Sequence, residues 1–296
     1  MASRRIGVSI LGCALGILLA GDASAQPLRK AIYASVLDAS GNPVSNVTAD
    51  DLTVREDKIA REVLEVWPAS DGMEIALLID NSQASDAVVR NYREALPAFI
   101  NALAADETGA RHQVAVVTLA DRPTLVADYS LTPKPSLDAV QRLFAMPGTG
   151  TYLLDGIIET SRGVRRRNAV RPVIVVVTTE GPELSTRPYQ TVLEPLRASG
   201  AQLHVIIIGR PINNDNDRAL VIGMGTKDSG GSYDNIFTGT ALVGRMKQLA
   251  NELTHQFKVT YARPDSLIPP EQVTIGSARP GLTVRGTPAR DTQAPR

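Results

Sequence analysis

The chain has 296 residues, 43% of them apolar, and balances 31 basic against 31 acidic side chains. That length supports one large core with a smaller attachment, and the neutral balance excludes nucleic acid and anionic membrane as electrostatically recruited partners. A single cysteine, Cys13, excludes a disulfide framework and thiolate metal sites from any product that lacks the first 25 residues.

Those first residues read as an export signal. Arg4 and Arg5 precede an apolar run from Ile6 to Ala20, and Ala23-Ser24-Ala25 offers a small-residue cleavage site before Gln26. The run is shorter than the ~20 apolar residues of a membrane span, and no later segment is longer. The mature chain is therefore expected to be exported, periplasmic or secreted, with no transmembrane segment. A lipid anchor on Cys13, which follows Leu11-Gly12, is disfavoured because the cysteine sits inside the apolar run rather than at its end. Removing residues 1–25 takes out two basic residues and Asp22, leaving 29 basic against 30 acidic.

From Ile32 to Trp67 the pattern is strand and turn: "AIYASVLD", the turn residues Ala39-Ser40-Gly41-Asn42-Pro43, then "LTVREDKIAREVLEVW" with a polar break at Glu56-Asp57-Lys58. Pro68-Ala69-Ser70-Asp71-Gly72 reads as a linker. The rhythm then changes. "MEIALLID", "HQVAVVTLAD", "RPVIVVVTTE" and "AQLHVIIIG" are continuous aliphatic runs of the kind buried on both faces by helices. Between and after them, Val88, Tyr92, Leu96, Phe99 and Leu103, and later Leu242, Met246, Leu249, Leu253 and Phe257, recur at helical spacing; Pro97 is expected to kink the first of these helices. The fold class is thus α/β, a doubly wound, mostly parallel sheet with helices on both faces, plus a small β-element. Three short strands close the chain, "FKVTYAR", "EQVTIG" and "GLTVRG", and are expected to pair with the first β-element because neither group alone has enough strands to bury a face. The expected organisation is a signal over 1–25, an N-terminal β-element over 26–70, the α/β domain over 71–257, C-terminal strands over 258–286 and a frayed tail over 287–296.

In such sheets ligands bind beyond the carboxyl ends of the strands, where Asp80 and Ser82, Thr151, and Glu180 all fall. With "LLIDNSQAS", the "TLADRPTLVADYSLTPKPSLDAVQRL" segment, the Gly-Thr before a helix at 150–158, "VIVVVTTEG" and "SGGSYDN", the chain over about residues 30–286 resembles the von Willebrand factor type A family, in particular its secreted bacterial members with a leading β-segment. The resemblance implies a metal-ion-dependent adhesion site, D-x-S-x-S followed by a threonine and an acid on two further loops, holding Mg²⁺ completed by a partner's carboxylate. Position by position, that site is Asp80, Ser82, Thr151 and Glu180. Ala84 stands where the second serine is expected, and Glu180 is a methylene longer than the expected aspartate. Mg²⁺ demands near-ideal octahedral oxygens, so the two departures weaken the site; Ca²⁺, which tolerates irregular shells, and Mn²⁺ stay open.

Blander roles compete. Ser85 is expected to N-cap the following helix with Asp86 on its dipole, and Thr151 could cap the helix beginning at Leu153, with Asp155 a first-turn acid. His112, His204 and His255 lack ligand spacing and read as core or surface residues. Arg165-Arg166-Arg167 reads as a helix end and Asn46-Val47-Thr48 as a glycosylation acceptor only in a eukaryotic host. The leading function is an exported protein-binding module, adhesive or complex-assembling and not an enzyme, with its ligand site at the sheet's C-terminal edge. The alternative is a metal-free structural component of an envelope complex that pairs through its β-element or an exposed edge. A metal-dependent hydrolase ranks third, since no general base is recognisable.

Overall fold

The computed structural model describes residues 27–210, 216–265 and 268–290. The expected signal segment and Cys13 lie outside the described residues. In chain order the elements are β1 (Leu28–Leu37), β2 (Leu52–Glu56), β3 (Ile59–Arg61), β4 (Val63–Pro68), β5 (Glu74–Ile79), α1 (Val89–Ala104), β6 (Gln113–Thr118), β7 (Thr124–Ser130), α2 (Lys134–Gln141), α3 (Leu153–Arg166), β8 (Pro172–Thr179), α4 (Tyr189–Ser199), β9 (Gln202–Ile208), α5 (Asn216–Asp228), β10 (Ser232–Ile236), α6 (Leu242–Thr254), β11 (Phe257–Arg263), β12 (Val273–Ser277) and β13 (Thr283–Pro288).

Six strands form the central sheet in the order β10-β9-β8-β5-β6-β7, parallel throughout except for β7 at one edge. The aliphatic runs explain it. Every residue of β8 and β9 is buried, which only a sheet covered on both faces allows. Alternation along β5 sends Ile75, Leu77 and Ile79 to a core shared with α1, α2 and α6, and Ala76 and Leu78 to a second core with α3, α4 and α5. At about 1.5–3 kcal/mol for each large apolar side chain fully removed from water, these two cores hold the helices to the sheet. α1 runs unbroken through Pro97.

The ends of the chain build the β-element together. β1 pairs antiparallel with both β11 and β13, and β4 completes that sheet beside β11. A second sheet, β12-β2-β3, faces it across a core of Ile32, Ala34, Val36, Leu52, Val54, Phe257, Val259 and Tyr261. The polar break at Asp57-Lys58 is the β2–β3 turn, both residues at positive φ (47° and 72°), the conformation a two-residue hairpin turn imposes. β13 runs on to Pro288, and Ala289 N–H donates to Ala31 O at 2.8 Å; the expected fraying at 287 is corrected by this pairing.

The expected linker at 68–72 is pinned rather than loose. The Asp71 carboxylate accepts from Tyr33 Oη at 2.8 Å and Lys258 Nζ at 2.9 Å. The buried Arg171 guanidinium donates to the Asp71, Leu253 and Gln256 side-chain oxygens or carbonyls at 2.7–3.1 Å. Gln256 in turn reaches Ser35 and Gln202. The α/β domain and the β-element thus share a hydrogen-bonded seam at the foot of the sheet.

Candidate functional site

At the opposite end, the carboxyl ends of β5, β6 and β8, three loops converge. Asp80 extends β5 by one rung, its N–H donating to Val177 O at 2.9 Å, and its side chain turns into the sheet, fully buried. Oδ1 accepts from Ser82 N at 2.9 Å. Oδ2 accepts from Thr178 Oγ1 at 3.0 Å, Thr179 N at 3.0 Å and Thr179 Oγ1 at 2.8 Å. Four donors compensate a charge that burial would otherwise make very unfavourable.

Neighbouring residues tie the first loop to the second and the second to the third. Asn81 accepts from Ala120 N at 3.0 Å, and its carbonyl accepts from Met146 N at 2.8 Å. Gln83 Oε1 accepts from Gly148 N at 2.8 Å. Thr151 N donates to Pro182 O at 2.9 Å, while Thr151 O accepts from Leu184 N at 2.8 Å. Gly181 fits between them because it lacks a side chain: a Cβ there would stand 2.6 Å from Ala84 Cβ and 3.7 Å from both Ser82 Oγ and Thr179 Oγ1.

Within this convergence two side-chain oxygens stand out. Ser82 Oγ and Thr151 Oγ1 are buried and have no hydrogen-bond partner among the described residues, an uncommon condition for buried polar atoms. Neither hydroxyl makes a capping bond, although Ser82 stands at the N-cap position of the 3-10 turn Gln83–Val88. Tyr152, not Thr151, occupies the N-cap position of α3, and the Glu183 carboxylate takes the capping role instead, accepting from Leu153 N at 3.2 Å and Ser185 N at 3.0 Å. The expected N-cap role of Ser85 is also corrected: it lies within a 3-10 turn, Gln83–Val88, and donates its hydroxyl back to Ser82 O at 2.7 Å.

Glu180 follows β8 directly. Its Cβ and Cγ lie against Gly209 at the end of β9, 3.8 and 3.7 Å from where a Cβ on that glycine would stand. Burial pushes the Glu183 carboxyl up to about 7. Tyr92, beneath the site, is held neutral by burial and then by the Asp80 charge, its phenol pushed well above the usual range.

Sequence reasoning missed four contributors: Thr178, Thr179, Glu183 and Arg218. The paired threonines were visible at a strand end. Arg218, on α5, is buried and donates to Thr179 O at 2.7 Å and Gly181 O at 3.1 Å, clamping the third loop's carbonyls; nothing in its local sequence marks it.

A divalent cation fits this donor set only in part. Ser82 and Thr151 offer free hydroxyl oxygens, but Asp80 Oδ2 already accepts from three protein donors and Oδ1 from one, Ala84 presents a methyl group, and Glu180 packs its Cβ and Cγ against Gly209. Among the described residues there is no cluster of three or more His, Cys, Asp or Glu side chains suited to a metal.

An open, mostly parallel α/β sheet with converging loops at its carboxyl crest places the molecule in the class of doubly wound ligand-binding folds. Residues 75–182 match the family model of the von Willebrand factor type A domain, a family of protein-interaction modules. Among solved structures the chain is similar to a von Willebrand factor type A protein from Catenulispora acidiphila, with 13% identity, a TM-score of 0.51, and coverage of 90% of this chain and 74% of that one. It is also similar to proximal thread matrix protein 1 from the mussel byssus, at 18% identity and a TM-score of 0.51, covering 67% of this chain and 49% of that one. The chain therefore spans about half the length of the mussel protein. A further structure of that mussel protein, 17% identical with a TM-score of 0.51, has its adhesion motif occupied by zinc. These likenesses concern the fold. Comparison with curated proteins gives no match.

Proposed function

We propose that this is an exported protein-docking module whose partner binds at the crest of the sheet, engaging the Ser82 and Thr151 hydroxyls. The observation that supports this reading is the pair of buried, partnerless hydroxyls on loops otherwise saturated with internal hydrogen bonds. Leaving such groups unpaired costs about 1–3 kcal/mol each, so a partner whose docking parts the crest loops over them and supplies an acceptor oxygen, a carboxylate above all, recovers that energy on binding. Asp80, Ala84 and Glu180 make a cation dispensable to this contact; Mg²⁺, Mn²⁺ or Ca²⁺, where one binds, would sit on the same two hydroxyls. The export signal read from the sequence of residues 1–25 supports an encounter in the periplasm or outside the cell.

The test is capture of envelope proteins from the native host by the full chain, comparing the parent with Ser82→Ala/Thr151→Val, with and without chelator. Capture that survives chelator but drops at least tenfold in the double variant supports the proposal. Capture unchanged by the double variant refutes it. The metal-free assembly reading, in which an edge or the β-element does the pairing, is favoured by the saturation of Asp80 and would show that second result.

A further inference from the structure

The seam at the foot of the sheet holds a buried titratable group that the crest does not use. His204 lies on β9 and is fully buried. Its Nδ1 meets Ser232 Oγ at 2.9 Å, and its Nε2 has no partner among the described residues. The charges that face it come from three elements: Glu252 and Arg245 on α6, Arg285 on β13 and Asp234 on β10. Each acid there already has its base. Arg245 Nε donates to Asp234 at 2.7 Å, and Arg285 grips Glu252 through Nε at 3.1 Å and Nη2 at 2.7 Å. A neutral imidazole thus sits between two closed ion pairs.

Glu252 is also the point at which β13 is fastened to α6. Ser35 and Arg285 stand opposite each other across β1 and β13, and both stabilise the Glu252 carboxylate. Gln256 donates to Ser35 and to Gln202 of β9, so α6, β9 and the β-element meet on one polar network. β13 is an edge strand, paired with β1 alone among the described residues. A proton on His204 turns Nε2 into a donor in need of an acceptor. Glu252 and Asp234 are the acids that face it, and Glu252 acts on it more strongly. Arg285 is the base that gives way, because its side chain is 24% exposed and turns readily to water, whereas Glu252, at 2%, has no such route.

We propose that His204 is the trigger of an acid-operated latch: its protonation draws Glu252 away from Arg285 and frees β13 from α6 while the α/β core stays folded. Burial disfavours the imidazolium in the closed seam and lowers its pKa from 6.5 to about 4; opening the seam to water restores the ordinary value. The open state therefore binds the proton more tightly, and falling pH shifts the equilibrium towards it. The difference between 6.5 and about 4 caps that shift at about 300-fold, of which about 50-fold is reached by pH 4.5. In acid the chain then uncovers the edge of β1 that β13 occupies at neutral pH, a row of backbone donors and acceptors open to strand pairing.

Hydrogen exchange of the full chain from about pH 7 to 4.5, followed by mass spectrometry and corrected for the intrinsic rate, tests this. In the parent, residues 283–288 should lose protection at least tenfold on acidification while β5, β8 and β9 keep theirs. His204→Gln should hold residues 283–288 at the parent's neutral protection throughout. Arg285→Gln should show the parent's acid behaviour already at neutral pH, and it decides the matter if His204→Gln does not fold. A further tenfold loss on acidification in Arg285→Gln would overturn the proposal, because something other than the Glu252–Arg285 pair would then be releasing β13. Unchanged protection of residues 283–288 in the acidified parent, acid sensitivity that persists in His204→Gln, or loss spread evenly over β5, β8 and β9 would each overturn it as well.

Discussion

Two buried groups titrate in opposite senses across mildly acidic pH, and replacing one should expose the other. Burial lowers the His204 imidazole from 6.5 to about 4; its Nδ1 meets Ser232 Oγ at 2.9 Å and its Nε2 has no partner among the described residues. Between pH 4 and 6.5 the unfolded chain holds a proton at this site that the folded chain refuses, so stability rises with pH there. Burial raises the Glu183 carboxyl from 4.5 to about 7. Between pH 4.5 and 7 the folded chain holds the proton and the unfolded chain has lost it, so stability falls with pH. Each shift corresponds to about 3 kcal/mol at 1.36 kcal/mol per pH unit, a ceiling for Glu183 because part of its surface reaches water. The two slopes oppose each other from pH 4.5 to 6.5. The urea-unfolding free energy of the parent should therefore vary less over that window than either group alone would make it, with a residual rise towards higher pH from His112, also lowered by burial. Glu183→Gln keeps the acceptor for Leu153 N and Ser185 N but removes the titration. Its stability should fall by up to about 3 kcal/mol from pH 6.5 to 4.5, and His112, also lowered by burial, adds in the same direction. A Glu183→Gln profile as flat as the parent's would refute the reasoning. Below pH 4.5 the carboxylates held low in the fold, Glu252, Asp71 and Asp106, become protonated and stability should decline in both proteins.

Three further outcomes follow from contacts at the crest and the seam. Gly181→Ala drives a methyl to 2.6 Å from Ala84 Cβ, for an expected loss of about 1–3 kcal/mol; Ala84→Gly in the same chain should restore most of it in a double-mutant cycle. Arg171→Met strips donors from the Asp71 and Leu253 carbonyls and from Gln256, and should lower unfolding free energy by about 3 kcal/mol or more, with near-ultraviolet dichroism confirming that the variant still folds. Ala84→Ser with Glu180→Asp restores the oxygen pattern of the family, and calorimetry should detect Mg²⁺ or Mn²⁺ binding stronger than the parent's; equal heats in the two proteins would show that those positions do not limit the metal.

The fold class was legible because burial on both faces leaves a simple mark on sequence. A strand such as "VIVVVTT" has no polar face to alternate with, so only a helix-covered parallel sheet accommodates it. The weaker marks were harder to read. α5, "NDRALVIGMGTKD", mixes glycines with apolar residues on its outer flank and lacks a clean stripe. β7 and β10 are edge strands, whose half-exposed residues blur into loop composition. The seam at 68–72 looked like a linker because its constraint comes from Tyr33, Arg171 and Lys258, which lie far away in sequence.

The site divides along the same physical line. Asp80, Ser82 and Thr151 stand at strand and loop ends, where the rule that ligands gather at the carboxyl edge of the sheet picks them out one by one. What that rule cannot supply is how each side chain is occupied once the loops fold. Asp80 is consumed by Thr178, Thr179 and the Ser82 backbone, whereas the Ser82 and Thr151 hydroxyls are left over because Glu183 performs the capping that Thr151 could have done. Motif spacing specifies which oxygens are brought to the crest, and hydrogen-bond competition among their neighbours decides which remain available. Availability therefore depends on residues outside the motif, and a change at Glu183 or Arg218 should alter ligand capture at the crest without touching any of the positions that the family pattern names.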